Sequence, residues 1–425
     1  MVSHLAFLSL SVAVTTAILS QGVVASSFIE DSNATLLLRN YYFDRDYKSE
    51  SVSPAQREWA QGFIFKYNSG YTEGTLGFGL DAQAFHGMKL DSAPDRAGTG
   101  LLPLHADGHA ANEYSELGLT AKFKLSKTEL LLGTQYPMLP IALTPYSRLF
   151  PQTFHGGSIR SGEIDRLTLH VGKFDQVNLR DSTDYESMGV ASPNSRFNRT
   201  ARSNDFRYVG GIYDWSPNLA LKYFNSELQD LFEQQYLGFI YKLPLGPGKL
   251  KADFRYFDSR EHGSAKAGVV DNRNLNLILT YSQGAHSFGA GVMRLSGDSA
   301  MPYIAGGDPD VMSEGLLSSD FVNPNEKVGQ VRYDYDFVGL GLPGLTGTLR
   351  YVKGSDIELP GRLGGNDRQE SERQIALAYV VQSGSLKGVA LRLRHAWYRN
   401  NFASTANFRD DNELRVNIEY AFGLF

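Results

Sequence analysis

Two arginines two residues apart, Arg392 and Arg394, alternate with Val389, Leu391 and Leu393. On an extended chain they share one face, about 6.6 to 6.8 Å apart. A guanidinium stays charged and offers a planar fork of donors to a carboxylate, so two at this spacing can hand an anion from one to the next. The same placement, a cation at a polar position of an alternating run, recurs at Arg39, Lys122, Lys124, Arg332, Arg350 and Arg415. The rival role for such residues is internal: pairing with Asp and Glu to stiffen a wall. Arg332 has Asp334 and Asp336 on its own face and is the poorest anion receptor of the set. Opposing charge is available in the segment Gly306-Gly307-Asp308-Pro309-Asp310 and Glu314, which lacks the glycine spacing and the final bidentate Glu of a calcium loop. Asp308 and Asp310 are therefore read as negative charge facing the basic row.

These residues need strands to position them, and the chain supplies them. Leu414, Val416, Ile418, Tyr420, Phe422 and Leu424 alternate with Arg415, Asn417, Glu419, Ala421 and Gly423, a period of two. Leu117 to Leu125 and Val331 to Phe337 read the same way. One alternating strand fits a soluble sandwich as well as a membrane barrel. Number decides: about eighteen segments of about ten residues are joined alternately by short turns and long loops, the pattern of an outer-membrane barrel. The short connections include 68–73, 126–128, 216–218, 244–248, 284–285, 339–344 and 383–388; the long ones run near 91–112, 137–157, 179–204, 297–326 and 357–370. Trp59, Tyr213, Trp215, Tyr379 and Trp397 fall at strand ends, where an amphipathic ring suits the headgroup level. If the apolar face meets lipid, the polar face meets the lumen, because Arg or Lys on the lipid face costs about 2 to 4 kcal/mol near the midplane.

Composition excludes several classes. The 425 residues contain no cysteine, which removes disulfides, thiolate nucleophiles and sulfur-ligated zinc. The formal charge of −5 gives no footprint for a nucleic-acid binder. No Gly-x-Ser-x-Gly, phosphate-binding loop or His-Glu-x-x-His occurs, and Gly339-x-Gly341-x-x-Gly344 is interrupted by Pro343 and followed by a strand, so it is a turn. No cofactor or metal is expected. Residues 1–25 carry no Asp, Glu, Lys or Arg and are apolar from Leu5 to Leu19, ending in Val23-Val24-Ala25; they read as a signal peptide, and 26–425 as the barrel domain. The final Phe425 has the opposite parity from Phe422 and Leu424.

The stretches Leu36-Leu37-Leu38-Arg39-Asn40-Tyr41-Tyr42-Phe43, Gly98-Thr99-Gly100, Ser147-Arg148-Leu149-Phe150-Pro151-Gln152-Thr153, Gly339 to Leu345, Tyr379-Val380-Val381-Gln382-Ser383-Gly384 and Arg392-Leu393-Arg394 recur in the order and spacing of one family. Over essentially the whole mature chain the sequence resembles the OprD-type outer-membrane porins of pseudomonads and their relatives. The resemblance implies an all-β, eighteen-stranded antiparallel transmembrane barrel in the Gram-negative outer membrane, with an inward-folded third loop and a lumenal ladder of basic side chains guiding small carboxylates. The segment 137–157, with Pro140, Pro145, Pro151 and apolar Met138, Leu139, Ile141 and Leu143, is odd for a solvated loop and is expected to narrow the barrel. By resemblance it is the constriction loop, with Arg148 and Tyr146 beside the eyelet.

The expected partners are small carboxylate solutes, either benzoate-like acids or amino acids, and outer-membrane lipid. Monomer and homotrimer both stay open. Asn178 to Tyr185 resembles the branch that takes aromatic and other monocarboxylates; the alternative is the branch for basic amino acids and small peptides, in which Asp308 and Asp310 receive an ammonium. An outer-membrane barrel enzyme would need a site that these residues do not assemble, although His170 has lumenal parity. A structural barrel would need balanced lumenal charge.

Overall fold

The computed structural model describes residues 26–48, 55–144 and 146–425; the expected signal peptide and Pro145 lie outside them. Eighteen strands among the described residues close a barrel. They are β1 (Asn33–Tyr47), β2 (Ala55–Asn68), β3 (Leu76–Ser92), β4 (Glu113–Leu125), β5 (Thr128–Gln135), β6 (Thr153–Ser161), β7 (Leu167–Asn178), β8 (Phe206–Ser216) and β9 (Leu219–Leu228). There follow β10 (Phe232–Leu245), β11 (Gly248–Glu261), β12 (Asp271–Gln283), β13 (His286–Ser296), β14 (Lys327–Asp336), β15 (Leu345–Ile357), β16 (Arg368–Val380), β17 (Ala390–Asn400) and β18 (Asp411–Gly423). Each pairs antiparallel with its sequence neighbours, and β1 closes the ring by pairing β18, with Arg39 opposite Glu419.

Closure leaves no open edge, as a bilayer requires. Alternation then sorts the side chains. Leu117 and Leu119 point outward at 70 % and 54 % exposure, whereas Tyr114, Glu116 and Lys122 of the same strand are buried inside. Trp59 and Trp397 sit outward toward the long-loop rim, and Tyr213, Trp215 and Tyr379 toward the short-turn rim, forming an aromatic girdle at each interface. The turn Gly246-Pro247 takes φ 55° at Gly246, left-handed backbone that glycine adopts without strain and that closes a two-residue hairpin. Beyond β18 the backbone still pairs β1, Leu424 N–H donating to Ala34 O and Ala34 N–H to Phe425 O; the Phe425 ring lies 6.3 Å from that of Tyr67 on the outer face. Its parity break follows from the strand ending at Gly423.

The β5–β6 and β13–β14 loops fold into the lumen. The β5–β6 loop (136–152) sends Leu149 and Phe150, 0 % and 2 % exposed, onto the inward faces of Tyr41, Phe43, Ile64, Phe85 and Tyr114. Gly62 of β2 admits them: a Cβ there would stand 3.1 Å from both side chains. Burying these two contributes about 1.5 to 3 kcal/mol each. The loop is shorter than the sequence suggests, because β6 begins at Thr153; Thr153 and Phe154 are both buried and a bulge follows at His155/Gly156, so the alternation there is broken.

The second, the β13–β14 loop (297–326), is held by β15, β16, β18 and β1. Arg350 donates to Gln330 Oε1 (2.6 Å), Met312 O (2.6 Å) and Glu314 O (3.0 Å). Glu372 accepts the amides of Leu317 and Ser318, both at 3.0 Å, while Arg45 (3.1 Å) and Arg415 (2.8 Å) donate to Leu317 O. Arg196 of the β7–β8 loop (179–205) clamps the same segment through Asp320 (2.6 and 2.9 Å). Arg350→Ala would leave buried acceptors without a donor, at about 1 to 3 kcal/mol each. It is expected to add flicker to single-channel recordings by loosening the loop; an unchanged open-state trace would show that the loop does not depend on this residue.

Candidate functional site

Where the two inward loops meet, a cavity of about 470 Å³ opens on the long-loop side. It is lined by Arg148 from the β5–β6 loop, Arg180 from the β7–β8 loop, Arg394 from β17 and Arg415 from β18, with the carboxylates Asp181, Asp308, Glu314 and Asp320 among them. Thr99 and Gly100 of the β3–β4 loop (93–112) complete one side. Gly100 has φ 76°, and a Cβ on it would lie 3.5 Å from Arg148 Nε.

The cations differ in how far they are already engaged. Arg148 donates from Nε to Thr99 O (2.7 Å) and from Nη1 to Ser147 O (3.0 Å), leaving Nη2 without an acceptor among the described residues. Arg394 makes one bond, to Tyr41 Oη (3.2 Å), and its Nε has none. Arg392, two residues toward the short-turn rim, is exposed and forms no ion pair among the described residues. Among the described residues none of these three touches a carboxylate. Burial, with the neighbouring Arg415 and Arg180 guanidiniums, pushes the Arg148 pKa down to about 9, so it remains a cation at neutral pH.

The other basic residues are structural partners. Arg39 pairs Glu419 (2.9 Å), donates to Leu149 O (3.1 Å) and Arg148 O (3.3 Å), and lies 4.7 Å from the Tyr146 ring. Arg415, 2 % exposed, pairs Glu413 and holds carbonyls of both inward loops. Arg350 is the anchor described above. Lys122 is fixed by Asp81 (2.7 Å) and Ser69 O (2.7 Å) near the short-turn rim, where Lys124 stands 5.3 Å from the Tyr71 ring. Arg332 pairs Asp334 at 2.8 Å.

Asp308 lies loosely by Arg180 at 3.8 Å and faces the cavity, but Asp310 is bound by Arg255 of β11 and turned away from it. Burial raises the pKa of Asp310 although Arg255 opposes it, and burial with Asp310 raises that of Glu314. His170 points inward against Phe224, ring centroids 5.9 Å apart, with no hydroxyl bonded to it among the described residues. Sequence reasoning missed Arg45, Lys66, Arg180 and Arg255. Parity marks Arg45 with Arg39, but Arg180 stands in an aperiodic loop that gives no such signal.

The chain matches the model of the outer membrane porin, OprD family, over residues 26–424. Porin D of Pseudomonas aeruginosa is 38 % identical over 427 residues, covering 96 % of this chain and 94 % of the relative. The crystal structure of P. aeruginosa OccK9 (OpdG) superposes with a TM-score of 0.89 at 41 % identity, covering 94 % of this chain and all of that one. P. aeruginosa OpdK, solved with vanillate, gives 0.86 at 37 % identity over 93 % of this chain and all of that one. Closed barrel and sequence agree, and this chain belongs to the OprD family of outer-membrane porins.

Proposed function

We propose that this porin admits small carboxylate solutes, aromatic and other monocarboxylates foremost, by passing the carboxylate along Arg148, Arg394 and Arg392. The carrying observation is that among the described residues these three lumenal arginines form no ion pair, while Arg39, Arg45, Arg196, Arg255 and Arg415 all do and Arg350, also without an ion pair, is occupied by three other acceptors. An unpaired guanidinium with free donors favours an arriving anion, and several moderate sites in series let it leave again. The relative solved with vanillate, an aromatic carboxylate, supports the same substrate class.

A second reading, entry of basic amino acids and small peptides, is favoured by one feature: Asp308 faces the cavity held only at 3.8 Å by Arg180 and could receive an ammonium. Liposome swelling with benzoate, a small aliphatic monocarboxylate, arginine and an uncharged sugar decides between them. Fast carboxylates and a slow sugar are expected, with benzoate ahead of arginine; arginine ahead selects the second reading, and equal rates for all four reject both. The chain acts here as a passive channel and not as an enzyme. Residues 1–25 serve as an export signal, which N-terminal sequencing of the membrane-inserted protein checks by reading a start near Ser26.

Acidity should sharpen the anion preference. Glu314 and Asp310 carry raised pKa values, so each takes up its proton at a higher pH than a free carboxylate, while the arginines stay charged. Reversal potentials in a salt gradient are expected to shift toward anion selectivity as the pH is lowered from neutral. A flat profile would mean that these carboxyls do not set the field in the pore.

A further inference from the structure

The outer face of the barrel carries a second basic group that the pore does not use. Arg294 of β13, Lys327 of β14, Lys353 of β15 and Arg373 of β16 all point outward and are exposed. Arg294 is directly opposite Lys327, Lys353 opposes Gly329 next along β14, and Arg373 opposes Tyr351, whose ring its guanidinium overlies at 6.0 Å. The four make a diagonal patch over four adjacent strands on the long-loop side. Below it the same face is apolar: Val292, Val331, Leu349 and Ile375 are 57 %, 57 %, 52 % and 38 % exposed. The cations thus stand at the edge of the lipid-facing band, at headgroup depth, where charge is tolerated.

Three of the four have no carboxylate partner among the described residues, which sets them apart. On β7, β8 and β11, at the same rim, outward cations are neutralised by protein: Lys173 and Arg207 by Asp205 (2.9 and 2.6 Å), Arg260 by Asp258 (3.1 Å). Among the described residues Arg294, Lys353 and Arg373 have no carboxylate, and Lys327 has only Asp356 at 3.3 Å. Like charges directly opposite on neighbouring strands destabilise a sheet unless an anion lies between them. The long-loop rim of such a barrel faces the outer leaflet.

We propose that this patch binds the phosphates of the outer-leaflet glycolipid, fixing one bisphosphorylated lipid headgroup to the β13–β16 wall. Each cation near such an anionic group adds to affinity, and phosphate accepts from Arg and Lys alike. The aliphatic stems and the apolar band beneath would take the acyl chains.

Native mass spectrometry of the detergent-purified barrel, titrated with bisphosphorylated lipid A or with the same lipid lacking phosphates, tests this. The wild type is expected to retain the phosphorylated lipid about tenfold or more tightly than the dephosphorylated one. The fourfold variant Arg294→Gln, Lys327→Gln, Lys353→Gln, Arg373→Gln should lose that difference, whereas Lys173→Gln with Arg260→Gln should keep it. Unchanged sugar permeation in liposomes certifies that each variant is folded. Equal retention by wild type and fourfold variant, equal binding of both lipids, displacement by inorganic phosphate at matching concentration, or a lipid-free oligomer that the four substitutions dissociate would each overturn the proposal.

Discussion

Replacing Arg148 and Arg394 together with alanine is expected to slow benzoate permeation about tenfold or more and to move the reversal potential away from anion selectivity, with sugar permeation unchanged or slightly faster. A hydrogen bond to a charged group is worth about 1.5 to 3 kcal/mol, and 1.4 kcal/mol is a factor of ten, so removing two carboxylate contacts reaches that size. The barrel should tolerate the change. Neither arginine pairs a carboxylate, so truncation strands no buried negative charge. Arg415→Ala makes the contrast: it would leave Glu413, 0 % exposed, with Arg45 alone, and breaking a buried pair costs about 3 to 5 kcal/mol. A loss of carboxylate transport in that mutant would confuse folding with guidance. Liposome swelling read as the benzoate-to-sugar ratio keeps the two apart, and a ratio equal to wild type in the Arg148/Arg394 double mutant would remove the proposed path.

Which way a side chain faces was legible from the sequence; what it meets was not. The period of two places Arg39, Lys122, Arg350, Arg392, Arg394 and Arg415 inward, because a strand that separates lipid from a polar lumen has no other choice. Whether such an arginine is free depends on loops about a hundred residues or more away in sequence. Arg39 meets Leu149, and Arg415 meets Ser147 and Leu317, contacts that alternation along a strand does not encode. The inward course of the β5–β6 loop was readable, since its apolar residues needed burial. For the β13–β14 loop the sequence offered only the acidic charge of Asp308 and Asp310 facing the basic row; its seating was not readable, because its anchors are mostly backbone groups: Leu317 and Ser318 amides on Glu372, and the Leu317 carbonyl on Arg45 and Arg415. Backbone groups are the same in every residue, so the sequence is silent about them.

Two inward loops make the second large prediction a discriminating one. Excising residues 138–150 and joining the ends through Gly-Ser keeps β5 to Gln135 and β6 from Thr153, so the barrel wall is untouched. The excision removes Arg148, Leu149 and Phe150 and uncovers the pocket formed by Tyr41, Phe43, Ile64, Phe85 and Tyr114. Single-channel conductance is expected to rise several-fold, and benzoate and sugar rates to converge, since both the narrowing segment and the first free guanidinium are gone. The barrel itself should persist, because its ladder of strand pairs closes without the loop. Were conductance to stay at the wild-type value, the narrowest point would belong to the β13–β14 loop, whose Leu317 and Ser318 line the same cavity. Arg148 would then be an entry contact above the constriction, and Arg394, which lies between the two loops' anchors, would carry the selection alone.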